Sequence, residues 1–273
     1  MGTDTRRPRL SIEISGALLE YAWVGPDDAQ DATIVFLHEG LGSLGQWRDF
    51  PEELCTRIGC RGVVYSRKGH GKSSSLSGPL TARFMHDEAL VLLPQLLDRI
   101  GVTKPILFGH SDGGSIALIY AGTGDADVAG LILEAPHVFV EDLTIKGIRS
   151  ACQRYESGEL RTRLAHHHDA AEALFTAWTD IWLSPDFRGW NIEHYAESVN
   201  SPVLLIQGRE DEYGTEAQVD AIAAKIRGQC RSILLPQCGH FAHVEQREAV
   251  ARVAAEFVEA MIVGKATDHS PRP

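Results

Sequence analysis

The chain has 273 residues, 44% of them hydrophobic and 23% charged, a balance that excludes a disordered protein. Lysine and arginine number 26 against 37 aspartates and glutamates, and the net charge of −11 argues against nucleic acid or an anionic membrane as partner. No apolar run is long enough to cross a bilayer, so the composition points to a soluble protein with a large core.

Met1–Arg7 is followed by no apolar segment of the signal-peptide kind, and Arg6 stands where a myristoylation signal needs Ser or Thr. A cytoplasmic location is therefore expected. The cysteines are Cys55, Cys60, Cys152, Cys230 and Cys238, with no C-x-x-C pair, so reduced thiols are expected rather than a zinc clip or a redox motif.

Along the chain, Ser11–Ser15 and Leu18–Val24 read as two strands with Gly16 at their turn. Thr33–His38 is a continuous apolar run of the kind buried on both faces. A helical stretch around Trp47–Ile58 precedes a strand at Gly62–Tyr65. Phe84–Ile100 carries leucines at helical spacing, and Gly101 fits a stop. Pro105–Gly109 and Gly130–Leu133 read as buried strands with an apolar helix, Ser115–Tyr120, between them. Pro202–Ile206 and Ser232–Leu235 complete the strands, separated by a helix over Glu216–Ile226, and Ala249–Ile262 reads as a final amphipathic helix. Such alternation predicts an α/β fold with a mostly parallel sheet and helices on both faces. Between Pro136 and Asn200 no buried-strand run occurs, so that stretch is expected to form helices inserted over the sheet.

Gly109-His110-Ser111-Asp112-Gly113 follows a strand and opens a helix. A sharp strand-to-helix turn needs small residues on both sides of its serine, and it holds the hydroxyl at a helix N-terminus, where developing negative charge is favoured. A serine hydroxyl needs a base, and that base needs a carboxylate to orient it. Asp211 falls just past one later strand and His240 just past the next. The order Ser, Asp, His, each at a strand's carboxyl end, is where open parallel sheets place their sites.

Together these residues resemble the α/β-hydrolase superfamily, in its serine-nucleophile branch with a helical cap. The resemblance runs from about Ser11 to Gly264. It implies Ser111 as nucleophile, His240 as general base and acid, and Asp211 as the carboxylate that orients His240. It further implies an oxyanion hole from the backbone N–H groups of Asp112 and Gly40, the latter in the loop His38–Ser43. The family commonly has glycine where this chain has Glu39, which either points away or lines the pocket and acts on substrate polarity. Ser66–Ser73 matches the family's Arg-x-Gly-x-Gly-x-Ser turn, and His243-Val244-Glu245 is a further family mark. The implied layout is a core over residues 10–136 and 201–264, a helical cap over 137–200, and flexible tails at 1–9 and 265–273.

Glu134, at a strand end, is the rival to Asp211 for the acid role. Cys238 reads as a small buried residue. The run His166-His167-His168-Asp169 reads as a solvated face, because adjacent histidines on a helix point about 100° apart and cannot share one metal ion. Gly71-Lys72-Ser73 lacks the earlier glycine of a phosphate-binding loop, so no nucleotide site is expected. His137 is a candidate to reach the pocket. Phe175, Trp178 and Trp182 share a helix face that packs the cap onto the core or, in part, roofs the pocket over an apolar or aryl group.

The favoured reading is a cofactor-free, metal-free hydrolase of carboxylic esters or lactones of a small, partly apolar molecule, working through an acyl-serine. The alternatives are cleavage of a C–C bond in an aromatic ring-cleavage product and, on the same fold, a ligand-sensing protein. A homo-oligomer is left open.

Overall fold

The computed structural model describes residues 8–29 and 32–268, with side chains through Ile262. Of the two expected tails, residues 1–7 and 269–273 lie outside the described residues. Strands β1 (Leu10–Ile14) and β2 (Ala17–Val24) form an antiparallel hairpin. The turn between them uses Ser15 and Gly16, both at positive φ. Six further strands follow: β3 (Thr33–Leu37), β4 (Arg61–Tyr65), β5 (Ile106–His110), β6 (Gly130–Glu134), β7 (Val203–Gly208) and β8 (Cys230–Leu235). They pair in the order β1-β2-β4-β3-β5-β6-β7-β8, and every pairing from β4 to β8 is parallel. β3, β5, β6 and β7 are almost wholly buried, as their unbroken apolar runs require when helices cover both faces.

The chain runs from β3 outward to β4 and then returns to the other side of β3 as β5. The loops after β3 and β5 therefore flank the point where the strand order reverses, the usual place for a ligand crevice in an open parallel sheet.

Helices α1 (Phe50–Ile58), α2 (Phe84–Asp87), α3 (Leu93–Ile100) and α4 (Asp112–Ala121) link the first four parallel strands, β3 to β6. The single helix expected over Phe84–Ile100 is interrupted by a π-helical stretch at Glu88–Leu92. Pro94 explains the break: it has no N–H to donate, and its ring crowds the Leu90 carbonyl, so the preceding turn widens. Gly101, at φ 73°, ends α3 with its N–H bonded back into the last turn, the stop that its sequence position suggested.

Between β6 and β7 the chain forms α5 (Asp142–Glu156), α6 (Glu159–His167), α7 (Ala171–Trp182) and α8 (Glu193–Ala196), with no strand among them. After β7 come α9 (Glu216–Lys225), α10 (Ala242–Glu245) and α11 (Arg247–Asp268). Two apolar layers sandwich the sheet. One is built on β3, α1, β8 and α11 side chains such as Phe36, Phe50, Leu54, Val250 and Val258. The other runs from Leu107 and Ile116 into the inserted helices through Ile148, Leu164 and Trp182. The inserted helices thus share one continuous core with the sheet.

Candidate active site

Ser111 is the residue between β5 and α4, and its backbone is held at φ 54° and ψ −118°. This is a strained conformation for a non-glycine residue, and it is sustained by its surroundings. The Ser111 N–H donates to the Glu134 carbonyl at 2.9 Å, and its own carbonyl accepts from Ser115 N at 3.0 Å. The flanking glycines are sterically required. A Cβ on Gly109 would sit 2.3 Å from the Gly113 carbonyl oxygen, and one on Gly113 would sit 2.0 Å from that of Leu37.

Asp211 follows β7 in a tight turn. Its Oδ1 accepts from the Tyr213 and Gly214 N–H groups at 2.7 and 3.2 Å, and its Oδ2 accepts from Gln207 Nε2 at 2.8 Å. His240 follows β8 and donates Nδ1–H to Asp211 Oδ2 at 2.8 Å. Burial opposes charge on both, yet the pair holds its charge: the imidazolium is lifted to about 9 by Asp211, and the carboxyl is drawn down to about 2 by His240. With Nδ1 committed to Asp211, Nε2 is the atom left to exchange a proton with another group. Ser111 and His240 line the same cavity, of about 370 Å³.

The rival acid has a different partner. Glu134, fully buried, accepts from both His243 N and His243 Nδ1, at 3.0 and 2.8 Å, and is held down to about 2 against its burial by that contact. His110, packed beside them, donates Nε2–H to the His240 carbonyl at 2.9 Å. Ligand-type atoms of His110, Glu134 and His243 lie within 4.8 Å of one another, and hydrogen bonds already engage each residue. Sequence reasoning missed this brace, although Glu134 and the histidine three residues after His240 were both visible in it.

The loop after β3 is pinned at three points. Glu39 turns its carboxylate onto the Leu41 N–H, Arg67 Nη2 donates to the Glu39 carbonyl at 3.0 Å, and His70 Nε2 donates to the Gly40 carbonyl at 3.0 Å. The Gly40 N–H is left without an acceptor among the described residues, as is that of Asp112 in the first turn of α4. Glu39 lines the cavity, half-buried, and burial raises its carboxyl. The Asp112 side chain is buried behind Gly40, 3.8 Å from Arg67, and its carboxyl is pushed up to about 6 by burial.

His137 reaches the cavity: its ring lies 5.9 Å from that of His240, its Nε2–H donates to the Tyr213 carbonyl at 3.1 Å, and burial holds it neutral, down to about 4. Trp178 and Trp182 also line the cavity. Phe175 instead stacks on Tyr155 at 3.8 Å, and Trp190 packs on Phe187 at 5.2 Å. Cys238 is buried with its thiol pushed up to about 12, first by burial. His168 corrects the reading of the histidine run as a solvated face. It lies past the end of α6, buried, taking the Gly71 N–H on Nδ1 and donating Nε2–H to the Leu41 carbonyl at 2.9 Å, so it ties the inserted helices to the β3 loop. Thr144, Arg154, Leu160, Leu164 and Tyr213 line the cavity as well, and no local motif had marked them.

The model of the alpha/beta hydrolase family matches residues 34–253. The chain belongs to that family. Among curated relatives, 2-succinyl-6-hydroxy-2,4-cyclohexadiene-1-carboxylate synthase of Enterobacter sp. (strain 638) is 25% identical, with 84% of this chain and 92% of the relative covered. The 2-hydroxy-6-oxononadienedioate/2-hydroxy-6-oxononatrienedioate hydrolase of Comamonas testosteroni is 21% identical, with 85% and 89% covered. Proline iminopeptidase from Mycobacterium smegmatis superposes with a TM-score of 0.76 at 18% identity, over 94% of this chain and all of that one, a likeness of fold. No helix among the described residues of this hydrolase-family chain is long and apolar enough to cross a membrane.

Proposed function

We propose that the protein is a cofactor-independent serine hydrolase that cleaves a carboxylic ester or lactone of a small, partly apolar substrate. The observation that carries the reading is the strained Ser111 turn opening on the same cavity as the Asp211-paired His240. His240 Nε2 takes the Ser111 proton as the oxygen attacks the substrate carbonyl. The two acceptor-free N–H groups, Gly40 and Asp112, receive the developing oxyanion. His240 then protonates the leaving alcohol, and water, activated by the same imidazole, releases the acid from acyl–Ser111. On this reading residues 137–200 act as a cap, residues 10–136 and 201–264 as the catalytic core, and Glu39, His137, Trp178 and Trp182 as pocket walls over a small-molecule substrate.

Cleavage of a C–C bond uses the same groups, and the named activity of the Comamonas relative favours keeping it as the second reading. Labelling with a fluorophosphonate, then turnover of alkyl esters and of a ring-cleavage dienoate, tests both. The first reading expects labelling at Ser111 and ester turnover, both lost in Ser111→Ala. Turnover that survives in Ser111→Ala overturns the mechanism, and dienoate cleavage without ester turnover selects the second reading.

A further inference from the structure

One half-buried cation at the cavity has no ion-pair partner among the described residues. Arg154, on α5, is half-buried and forms no ion pair among the described residues; its Nη2 donates to the Tyr213 hydroxyl at 3.1 Å. Its Nε is buried with no hydrogen-bond partner among the described residues. Other charges at the cavity are either spent or peripheral. The Glu39 carboxylate is committed to Leu41 N–H and that of Asp112 faces Arg67, while Arg48, Arg163, Glu212 and Glu245 are exposed. Leaving guanidinium donors unsatisfied in a partly desolvated place is costly unless a ligand completes them.

Arg154 also stands in a meaningful position. Thr144, Ile148 and Ala151 precede it along the same lining face of α5, so a substrate lying against this helix meets an apolar stretch that ends in a cation. Tyr213 links the cation to the catalytic groups, since its ring centroid lies 4.8 Å from that of His240. The Tyr213 oxygen accepts from Arg154, which leaves its own O–H proton free to donate; burial raises that phenol to about 12, so the proton stays. Guanidinium and phenol donors side by side match the two oxygens of a carboxylate.

We propose that Arg154 and Tyr213 form a subsite for a substrate carboxylate, so that the preferred substrate is an ester whose acyl part carries a second, ionised carboxyl group a few bonds from the scissile carbonyl. The proposal rests on the serine-hydrolase reading above for its reaction but not for its binding site. The carboxylate anchors the acyl chain along the apolar face of α5 and fixes how deeply the ester carbonyl sits against Ser111.

The test compares monoethyl glutarate with ethyl valerate, which has the same carbon chain and no charge, by following acid release at constant pH. In the wild type, kcat/KM is expected to favour the half-ester by at least about tenfold, the size of one charge-assisted pair. Arg154→Met should bring the ratio close to one, Arg154→Lys should keep part of it, and Tyr213→Phe should lower it severalfold. The ratio is independent of the fraction of folded enzyme, so a merely destabilised variant does not imitate the effect. A wild-type ratio of one or less, or a ratio unmoved by Arg154→Met, overturns the proposal. Glutarate binding to the Ser111→Ala protein, followed by tryptophan fluorescence, supplies a readout that needs no turnover: saturable binding weakened at least tenfold by Arg154→Met supports the subsite, and no saturable binding overturns it. Glutarate binding without any ester hydrolysis supports the subsite and counts against the serine-esterase reading alone.

Discussion

Glu134 Oε1 lies 2.8 Å from His243 Nδ1, and this pairing leaves Asp211 as the carboxylate that meets His240. β6 and β7 are neighbours in the sheet, so either strand end could have supplied the acid. The side chains divide the work: Asp211 orients the proposed base, while Glu134 takes the Ser111 N–H on its backbone and the His243 loop on its side chain.

The division predicts unequal mutants. Asp211→Asn takes the charge from the His240 partner and disturbs its tautomer, so kcat should fall by about 10⁴-fold. Glu134→Gln keeps an acceptor for both His243 N–H groups, and its loss should stay within about tenfold, the size of one weakened hydrogen bond. Steady-state turnover of a p-nitrophenyl ester measures both. Equal losses in the two variants would reverse the assignment.

A pH profile follows from the same pair. Burial opposes charge on His240, but the Asp211 carboxylate lifts it from the ordinary 6.5 to about 9, so the free base forms only as the pH rises through that range. The acidic limb of kcat/KM should therefore lie above 6.5, and in Asp211→Asn it should move down. The sign for stability is the reverse. A histidine raised on folding stabilises fully below 6.5 and loses that contribution as the pH climbs through its folded value. Thermal melts of the wild type and His240→Gln should thus converge between neutral and alkaline pH.

The parts legible in the sequence are those set by local rules. The β5 run, the Gly109 and Gly113 pair and the order Ser111, Asp211, His240 carried the strand-turn-helix site, because strand burial and tight turns leave a pattern in consecutive residues. His168 and Arg154 were not legible in the same way. One is buried only because α6 ends at His167 and turns it toward Gly71 and Leu41, and the other meets the Tyr213 hydroxyl and forms no ion pair among the described residues. Both facts belong to tertiary packing, which spacing along the chain does not encode.

Trp178 should govern acyl length. It lines both the candidate active-site cavity and a neighbouring one of about 300 Å³, together with Gly40 and Asp112. Trp178→Ala removes much of the dividing wall, so the optimum in a series of p-nitrophenyl esters should move to longer chains. Trp182 is wedged between Phe187, at 4.9 Å, and His137, at 5.6 Å, so Trp182→Ala should cost more stability and shift the optimum less. An unchanged chain-length profile in both variants would remove the aromatic wall from the account of specificity.

Gly113 gives a prediction that joins fold to chemistry. An added Cβ there would lie 2.0 Å from the Leu37 carbonyl oxygen, 2.5 Å from its carbon and 2.8 Å from the His38 carbonyl oxygen. All three are backbone atoms of β3 and the loop that follows it, so no side chain can swing aside. α4 must back away from the sheet, at a cost on the order of 1–3 kcal/mol or more. Gly78→Ala is the control, because nothing lies within 4 Å of its added carbon. Gly113→Ala should lower Tm by several degrees, and Gly78→Ala should leave it nearly unchanged. The displaced atoms lead directly into Gly40, whose N–H is the proposed second oxyanion donor. The surviving folded enzyme should therefore lose kcat, with fluorophosphonate labelling slowed in proportion. Full kcat per folded molecule in Gly113→Ala would show that the β3 loop can shift without disturbing the oxyanion site.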